Sequence, residues 1–306
     1  MARIVVSGLT NLETTVAIEQ FPIPYFPVRY PFHGVQSTVS GVGFNVAKAL
    51  SCLGDDVRFF TILGDDPAGK ICRDVIREEG LRDSLLTTGS GATAQSVILV
   101  EPQGRRQIHV DLKNLQDELP PQVSVAKAIS KCDVAVLCNI NFSRPLLSVA
   151  RHDGKLIATD VHAVSSLDDP YNLEFMQAAG ILFMSHELLP VPPGDWAAEV
   201  IGRFGTTVVV VGLGSEGALL RVKGEPDSVF FPVVSTRPVA NTIGGGDALF
   251  SCFVHFFARG LTPREALARA MVFASYKVGA NGGAEGFLTG DELEKMWNAR
   301  GGGHGG

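Results

Sequence analysis

Residues 241–257 read NTIGGGDALFSCFVHFF, in which three consecutive glycines run into one aspartate and then an apolar segment. The apolar residues after Asp247 keep helical spacing as far as Gly260, which predicts a helix that begins at Gly244, Gly245 and Gly246. Unpaired backbone N–H groups converge at a helix N-terminus, and glycine lets an anion approach them without a Cβ in the way. The stretch therefore predicts an anion site beside a carboxylate.

Asp247 has two interpretations. As a structural residue it caps or charges the first turn of the helix. As a functional residue it accepts a proton from a hydroxyl group that attacks a phosphoryl group held by the glycine amides, because phosphoryl transfer depends mainly on positioning and charge stabilisation. A cap needs no run of three glycines, and Asn241 and Thr242 are already available for capping. Both points favour the functional interpretation.

Composition describes an ordinary globular chain of 306 residues, 45% apolar and 19% charged, which is enough for one large α/β domain. The net charge of −6 argues against nucleic acid as a partner, because binding phosphates needs an excess of Lys and Arg. No uncharged apolar run approaches ~18 residues, so no membrane span is predicted. The five cysteines, an odd number, fit a reducing cytoplasm, and the absence of a C-x-x-C pair gives a zinc site no support.

Short apolar runs typical of strands alternate with helical patterns along the chain. The predicted strands are 3–9, 57–64, 133–139, 155–161, 181–185 and 206–214, and the predicted helices before residue 241 are 44–54, 68–80 and 197–205. This alternation predicts a three-layer α/β/α sandwich with a mainly parallel sheet.

Two segments interrupt this alternation. Residues 12–40 have no helical period, and residues 91–112 predict a hairpin around Pro-Gln-Gly-Arg. Together they predict a small β-sheet lid outside the main layer. The expected organisation is a single domain over residues 1–300, followed by a disordered tail at 301–306.

Two further glycine motifs carry chemistry. In STVSGVGFNVAKALSCLG (37–54), a glycine turn leads into a helix with Asn45 in its first turn, which is either a structural corner or a contact with substrate hydroxyls. GLGSEG (212–217) matches the dinucleotide-binding pattern of NAD-linked oxidoreductases, but the following ALLRVKGE predicts a strand where that pattern needs a helix. A hairpin turn, either purely structural or lying against a nucleotide, is therefore favoured. P-loop, G-x-S-x-G and H-E-x-x-H motifs are absent from the sequence.

Five motifs, in this order, resemble the ribokinase or PfkB family of carbohydrate and nucleoside kinases. NTIGGGDALFSCF is similar to the second family signature, D-T-x-G-A-G-D-A-F, and SGVGFNVAKALSCLG to the first, G-G-x-G-x-N-x-A. ILGDDPAGK, VVVVGLGSEGALL and SYKVGANGG resemble three further family segments, the last two of which lie on the ATP side. The likeness extends from about residue 3 to about residue 293.

The resemblance implies an ATP-dependent kinase that phosphorylates a hydroxyl of a small sugar or nucleoside, with magnesium bridging the ATP phosphates. It implies Asp247 as the catalytic base and Gly244, Gly245 and Gly246 as the anion hole. The implied nucleotide contacts are Gly212, Gly214, Gly217 and Gly279, and the implied acceptor contacts are Asn11, Glu13, Gly41, Asn45 and Asn141.

Three departures from the family pattern concern the acceptor. Glu13 stands where the family often has an aspartate that holds sugar hydroxyls, Val42 replaces a lysine or small residue, and Asn141 replaces a glutamate found in many sugar kinases. These differences leave the identity of the acceptor open.

Other departures concern cations. Asn241 replaces the aspartate that opens the second signature, which is associated with a monovalent-cation loop, so potassium dependence stays open. The family's N-x-x-E motif, which organises magnesium through water, would lie near FMSHELLP. Ser185 and Leu188 occupy its two key positions, and Glu187 is the candidate metal residue after a shift of one position.

Two alternatives to a kinase remain at this stage: a catalytically altered nucleotide- or sugar-binding protein on the same fold, and an oxidoreductase built on GLGSEG. The expected partner is a small molecule, with no nucleic acid or membrane partner and a cytoplasmic location. Apolar and aromatic residues of the predicted lid suggest either a homodimer formed through the lid or stacking on a sugar or base. They are Phe21, Tyr25, Phe26, Tyr30 and Phe32.

Overall fold

The computed structural model describes residues 1–82 and 84–301, so all but the first residue of the predicted tail lies outside the described residues. The strands are β1 (Arg3–Ser7), β2 (Asn11–Ala17), β3 (Val35–Ser40), β4 (Asp56–Leu63), β5 (Leu86–Thr88), β6 (Gln95–Val100), β7 (Arg106–Asp111), β8 (Val134–Leu137), β9 (Leu156–Ala163), β10 (Ile181–Ser185), β11 (Val208–Gly212), β12 (Gly217–Val222) and β13 (Val229–Pro232). The helices are α1 (Val42–Cys52), α2 (Pro67–Glu78), α3 (Gln122–Ile129), α4 (Arg144–His152), α5 (Leu173–Ala178), α6 (Pro193–Phe204), α7 (Gly245–Phe257), α8 (Pro263–Lys277) and α9 (Gly290–Ala299).

Nine of these strands form the main sheet, in the order β13-β12-β11-β10-β9-β8-β1-β4-β5. All its pairings are parallel except β11–β12 and β12–β13 at one edge. Parallel strands need crossover connections, and helices supply most of them here. The mainly parallel sheet predicted from the alternating pattern is confirmed.

Helices cover both faces of the main sheet, and successive residues of one strand point to opposite faces. In β1, Ile4 and Val6 pack in a core with α1, α2, α7, α8 and α9. Val5 between them packs in a second core with α3, α4, α5 and α6. Two cores on either side of one sheet make the three predicted layers, and burial on both faces explains why these strands are continuously apolar.

A second sheet of four strands lies outside these layers, in the order β3-β2-β6-β7. The β2–β3 and β6–β7 pairs are antiparallel, whereas β2 and β6 pair in parallel. The hairpin predicted within residues 91–112 is confirmed as β6–β7. The chain between β2 and β3 exposes Tyr25, Phe26, Tyr30 and Phe32 to solvent. A lid function of this sheet and a dimer formed through it stay predictions.

Several helix boundaries differ from the predicted ones. Helix α6 begins at Pro193, four residues before the predicted start, because proline at the first helical turn needs no hydrogen-bonded N–H. Helices α8 and α9 were not predicted, although both begin with a readable T-x-x-E capping box, formed by Thr262 with Glu265 and by Thr289 with Glu292. None of the helices in the described residues is long and apolar enough to cross a membrane.

Asp55 anchors the carboxyl-terminal half of α7. Its buried carboxylate lies 2.6 Å from His255 Nδ1 and accepts hydrogen bonds from Arg259 at 3.3 Å and from the Ala2 amide at 3.2 Å. Asp55 immediately precedes β4, so these contacts hold the end of α7 at the amino-terminal edge of the sheet. The first turn of α7 is thereby placed near the opposite edge, where parallel strands present their carboxyl ends.

We expect Asp55→Asn to lower the free energy of unfolding by about 1–3 kcal/mol, because the substitution weakens the hydrogen bonds of a buried carboxylate and leaves buried donors poorly paired. Urea denaturation measures the change. Asp74→Asn is the control, since Asp74 forms an exposed pair with Arg77 and exposed pairs contribute at most about 1 kcal/mol. Equal losses in the two variants would show that Asp55 does not anchor α7.

Candidate active site

The three glycines at the start of α7 have different surroundings. Gly244 adopts a left-handed conformation with φ of 74°, and a Cβ built on it would lie 2.1 Å from the carbonyl oxygen of Gly283. Conformation and contact therefore both require glycine at 244. A Cβ on Gly245 would lie 3.0 Å from Val278 Cγ1, whereas a Cβ on Gly246 would meet nothing within 4 Å. Gly246 thus borders open space.

The amides of this first turn are only partly paired. The Gly245 amide donates to the Thr242 carbonyl at 3.2 Å, and the Ala248 amide donates to the Gly244 carbonyl at 3.0 Å. The amides of Gly246 and Asp247 have no hydrogen-bond partner within residues 1–82 and 84–301. Two free N–H groups at the positive end of a helix dipole are what the predicted anion site requires, and the binding of an anion there stays a prediction.

Asp247 lies in the first turn of α7 and is only 9% exposed. Its Oδ2 accepts a hydrogen bond from Asn45 Nδ2 at 2.7 Å, and the residue that caps the helix is Gly244. Burial raises the pKa of Asp247; the Asn45 bond and the charges of His162 and Lys277 oppose this rise, while the charge of Asp160 adds to it. A carboxylate with a raised pKa is a stronger proton acceptor than an exposed one.

Close backbone contacts at the start of α1 bring Asn45 to this position. A Cβ on Gly41, whose φ is 103°, would lie 2.6 Å from the Leu9 carbonyl oxygen. A Cβ on Gly43 would lie 2.3 Å from the carbonyl carbon of Gly8. These glycines let the first turn of α1 press against the end of β1, as the structural interpretation of the turn expects, and a contact with substrate hydroxyls stays a prediction. The same contacts direct the buried Asn45 amide to the carboxylate of α7.

Strand β2 of the second sheet contributes two buried polar side chains, Asn11 and Glu13, which are 3% and 5% exposed. Asn11 Nδ2 donates to Ser96 Oγ at 2.9 Å, but Asn11 Oδ1 and Glu13 Oε1 have no partner among the described residues. Burial raises the pKa of Glu13; a hydrogen bond with Ser40 opposes the rise, and the charge of Asp247 adds to it. Unpaired buried acceptors cost about 1–3 kcal/mol each, which hydroxyl groups of a ligand would offset.

Asn141, the remaining predicted acceptor contact, follows β8 in a 3₁₀ turn. Its Nδ2 donates to the Gln116 carbonyl at 3.0 Å, and its Oδ1 accepts from Arg144 at 3.3 Å. The structure thus shows the Asn141 amide engaged with neighbouring protein groups, and a contact with the acceptor stays a prediction.

The GLGSEG segment forms the turn between β11 and β12. Gly212 ends β11, Gly214 has φ of 61°, and a Cβ on Gly217 would lie 2.0 Å from the Phe231 carbonyl oxygen. The chain continues as an antiparallel strand, not as the helix that a dinucleotide-binding turn requires. The predicted hairpin is confirmed, and the oxidoreductase alternative loses its structural basis.

Gly279 follows α8 and lies beneath a guanidinium group that the sequence analysis missed. A Cβ on Gly279 would lie 2.2 Å from Arg237 Nε. Arg237 stacks on the ring of Tyr276, with 3.7 Å between its guanidinium carbon and the ring centroid. Its Nη2 is buried and has no partner in the described part of the chain. This free donor lies beside a residue that the resemblance assigns to the nucleotide.

Few carboxylates are available for a metal ion. Across the described residues, no group of three or more His, Cys, Asp or Glu side chains is arranged to hold one. Glu187 follows β10 and is exposed, and Asp160 is a half-buried residue of the neighbouring strand β9. Magnesium that accompanies a nucleotide needs only one or two protein carboxylates, because phosphates and water complete its coordination. The charge of Asp160 acts on Asp247, which puts one such carboxylate near the candidate base. A metal role of Glu187 stays a prediction.

Lys277 is the second polar residue that the sequence analysis missed. It ends α8, its side chain has no solvent exposure, and its Nζ donates to the carbonyl oxygens of Ile243 and Gly282 at 2.5 and 2.6 Å. A signal was present in the sequence, because Lys277 continues the buried helical face of Ala266, Ala270 and Phe273 at intervals of three and four residues.

A cleft of about 480 Å³ separates the second sheet from the loops on either side of α7 and α8. Its walls include Gln36 and Thr38 of β3 and Gly282, whose carbonyl binds Lys277. Arg106 of β7 reaches across and hydrogen-bonds Thr242, which lies two residues before Gly244. The second sheet thus forms one wall of a cleft that adjoins the glycine loop.

This combination of fold and site matches one family of phosphotransferases that act on hydroxyl groups. Residues 1–289 match the pfkB family carbohydrate kinase model. The chain belongs to this family, and it is a PfkB-type sugar or nucleoside kinase.

Relatives are similar to this chain in sequence, and solved structures have the same fold. Acarbose 7(IV)-phosphotransferase of Actinoplanes sp. is 26% identical over 82% of this chain and 83% of its own length. Ribokinase of Arabidopsis thaliana is 23% identical, over 91% of this chain and 76% of its own. A microbiome-derived acarbose kinase has the same fold, with a TM-score of 0.87, 23% identity and coverage of 97% of this chain and 99% of its own. A ribokinase from Thermotoga maritima also has this fold, with a TM-score of 0.81 and 20% identity, over 97% of this chain and 100% of its own.

We expect Gly246→Ala to keep the fold but lower kcat for phosphoryl transfer at least ~10-fold, because a methyl group would intrude on the anion site. Thermal unfolding and steady-state kinetics measure the two effects. Gly202→Ala is the matched control, since Gly202 is a helical glycine of α6 whose Cβ would also meet nothing within 4 Å. Both variants gain about 0.5–1 kcal/mol of helix propensity, and unchanged turnover in Gly246→Ala would place the anion elsewhere.

We also expect Asp247→Asn to unfold at a higher temperature than the unsubstituted protein at pH 7. The pKa of Asp247 is raised above 3.8 in the folded protein, so between pH 3.8 and the folded pKa the native state binds more protons than the unfolded state. The contribution of this group to stability therefore falls as pH rises through that window. Thermal melts from pH 4 to pH 8 measure the effect: the difference in melting temperature between the variant and the unsubstituted protein should shrink towards pH 4. A variant that melts below the unsubstituted protein at pH 7 would contradict a destabilising burial of the carboxylate.

Proposed function

We propose that the protein transfers the γ-phosphoryl group of ATP to a hydroxyl of a small sugar or nucleoside. One observation carries the proposal: a buried carboxylate with a raised pKa, Asp247, lies in the same helical turn as two unpaired amides, beside the open space at Gly246. An acid–base group and an anion site placed side by side are the two elements that phosphoryl transfer to an alcohol needs.

In the proposed reaction the Asp247 carboxylate accepts the proton of the acceptor hydroxyl as its oxygen bonds to the γ-phosphorus. The bond from phosphorus to the bridging oxygen breaks, and ADP leaves with that electron pair. The free amides of Gly246 and Asp247 stabilise negative charge on the phosphoryl oxygens. A positioned base of this kind contributes ~10²–10⁴-fold to the rate.

Asn45 holds the base in position. Its Nδ2 donates to Asp247 Oδ2 at 2.7 Å, and its Oδ1 accepts from Ser40 Oγ at 3.3 Å. With one carboxylate oxygen fixed by Asn45, the other is left to meet the acceptor hydroxyl. Ser40 ends β3, so this hydrogen-bonded chain also links the base to the second sheet.

The acceptor would be held by Asn11 and Glu13. The unpartnered oxygens of Asn11 and of the ionised Glu13 accept hydrogen bonds but donate none. A ligand rich in hydroxyl groups would supply the donors that they lack. The raised pKa of Glu13 means that its carboxylate is poorly solvated and gains most from such donors. Gly41 supports this pocket by allowing the close approach of α1 to Leu9 and Thr10, directly before β2.

The nucleotide would lie along Gly212, Gly214, Gly217 and Gly279. Gly212 and Gly214 leave the turn open, because a Cβ on either would meet nothing nearer than 3.7 Å. The unpaired Nη2 of Arg237 beside Gly279 supports this assignment, because a buried donor suits an acceptor atom of the nucleotide. Bound magnesium would neutralise charge on the ATP phosphates. Asp160 and Glu187 are the carboxylates available to hold it.

The second sheet would act as the lid. Arg106 already bridges from β7 to Thr242, beside the glycine loop. Closing the sheet over the cleft would exclude water, which otherwise competes with the acceptor for the phosphoryl group. The exposed aromatic residues between β2 and β3 remain available for a homodimer formed through this lid.

The names of two relatives suggest the acceptors to be tested. One is a phosphotransferase named for acarbose, a large sugar, and the other is a ribokinase, named for a pentose. The panel should therefore contain pentoses, hexoses, nucleosides and acarbose.

We expect ADP release that depends on one of these acceptors, and we expect Asp247→Asn to lower its kcat at least ~100-fold while ATP affinity changes little. A coupled ADP assay and calorimetry measure the two quantities, with Asp74→Asn as the control. Full turnover in Asp247→Asn would refute the role of the base. ATP binding without transfer to any acceptor would instead favour a nucleotide- or sugar-binding protein on the same fold.

A further inference from the structure

The charged side chain of Lys277 is buried, which is unfavourable for an ammonium group. Its side chain has no solvent exposure, and Nζ donates to two backbone carbonyls, those of Ile243 and Gly282. An ammonium group removed from water costs several kcal/mol unless polar partners compensate. The two short hydrogen bonds supply that compensation and fix the position of the charge.

The two carbonyls belong to the loops that shape the anion site. Ile243 directly precedes Gly244, and Gly282 directly precedes Gly283. The carbonyl of Gly283 is the group that leaves no room for a Cβ on Gly244. By holding Ile243 and Gly282 together, the ammonium maintains the contact that forces Gly244 into its left-handed conformation, and this conformation starts α7.

The charge of Lys277 also offsets the carboxylates of the site. Asp247, Glu13 and Glu285 are the acidic groups that act on it, and Arg237 is the opposing cation. In return, Lys277 lowers the pKa of Asp247 and of Glu13 against the effect of burial. The ammonium therefore helps to keep the base ionised.

An added alkali cation does not fit this arrangement. The resemblance associates the loop that begins at Asn241 with a monovalent cation, but the carbonyl of Ile243 in that loop is already bound by the Lys277 ammonium. Asn241 Oδ1 accepts from the Ile243 amide at 2.8 Å, so it too is engaged. A second cation at these oxygens would meet the repulsion of the first.

We propose that the Lys277 ammonium is a resident cation that positions the glycine loop, so that phosphoryl transfer needs no alkali ion. The proposal rests on the proposed function, because the loop matters only if it holds the phosphoryl group. Lys277 acts through the loop and is a positioning residue. Ammonium and potassium ions are similar in size, so removing the side chain should create a potassium site from the same carbonyls.

The pH dependence distinguishes this role from simple packing. Burial lowers the pKa of Lys277 from 10.5 to about 8, so the charge is lost as pH rises through about 8. Turnover should fall over the same range. Between pH 8 and 10.5 the unfolded state binds more protons than the native state, so the contribution of this group to stability rises with pH. Activity and this stability contribution therefore change in opposite directions.

The test compares Lys277→Ala and Lys277→Met with the unsubstituted enzyme, in buffers whose only added salt is tetramethylammonium, potassium or ammonium chloride. We expect the unsubstituted enzyme to turn over equally in all three. Loss of loop positioning should lower kcat ~100-fold in both variants without added potassium. Potassium or ammonium should restore kcat at least ~10-fold in Lys277→Ala only, because the methionine side chain fills the vacated space.

Lys155→Met is the matched control, since Lys155 also donates to a backbone carbonyl, that of Cys132, far from the site in sequence and outside the glycine loops. It should keep both turnover and its insensitivity to potassium. A second readout needs no turnover: potassium should raise the melting temperature of Lys277→Ala, because a cation that binds only the folded state stabilises it, and leave that of the unsubstituted protein unchanged.

Three results would overturn the proposal: strong potassium activation of the unsubstituted enzyme, full activity of Lys277→Met without potassium, or turnover that stays constant from pH 7 to pH 10. If the substituted chains fail to fold, the potassium and pH measurements on the unsubstituted enzyme still test the proposal. Absence of turnover in every salt would count against the proposed function instead, and the melting temperatures would then test the resident cation by themselves.

Discussion

The first turn of α7 has to leave two amides and one oxygen of a carboxylate without partners in the described part of the protein. This constraint opposes stability, because an isolated chain would cap the helix and solvate Asp247. The rest of the site compensates for it: Asn45 holds one carboxylate oxygen, Lys277 ties the preceding loop to a neighbouring loop, and Asp55 anchors the far end of the helix. These three sets of contacts therefore hold the first turn of α7 in place while its amides stay unpaired.

Glycine residues allow close backbone packing at the starts of two helices of the site. Gly244 before α7 and Gly41 before α1 both have positive φ, and both pack against a carbonyl oxygen where a Cβ would clash. Because both contacts are between backbone atoms, neither can relax by rotating a side chain. The two helices are consequently fixed relative to each other where Asn45 meets Asp247, and the acceptor side of the site is completed from β2 of a different sheet. A small shift of either helix would separate the base from its partner.

The sequence was sufficient for the parts of the fold that depend on local patterns. Apolar strands alternating with helices predicted the parallel sheet, and the glycines at 244–246 predicted a helix start with open amides. The groups that support the site were missed because their partners lie far away in the chain: 200 residues separate Asp55 from His255 and 34 separate Ile243 from Lys277. The parallel pairing of β2 with β6 was likewise unreadable, since nothing local to either strand specifies its neighbour.

The central claim is that the phosphoryl group and the acceptor hydroxyl meet at the first turn of α7. The most direct measurement is a crystal structure of the protein with ADP, aluminium fluoride and the acceptor found by the activity screen. We expect the fluoride atoms within hydrogen-bonding distance of the Gly246 and Asp247 amides, and one acceptor hydroxyl on the free oxygen of the Asp247 carboxylate. Aluminium fluoride bound away from these amides, or an acceptor whose hydroxyls do not reach Asp247, would contradict the claim.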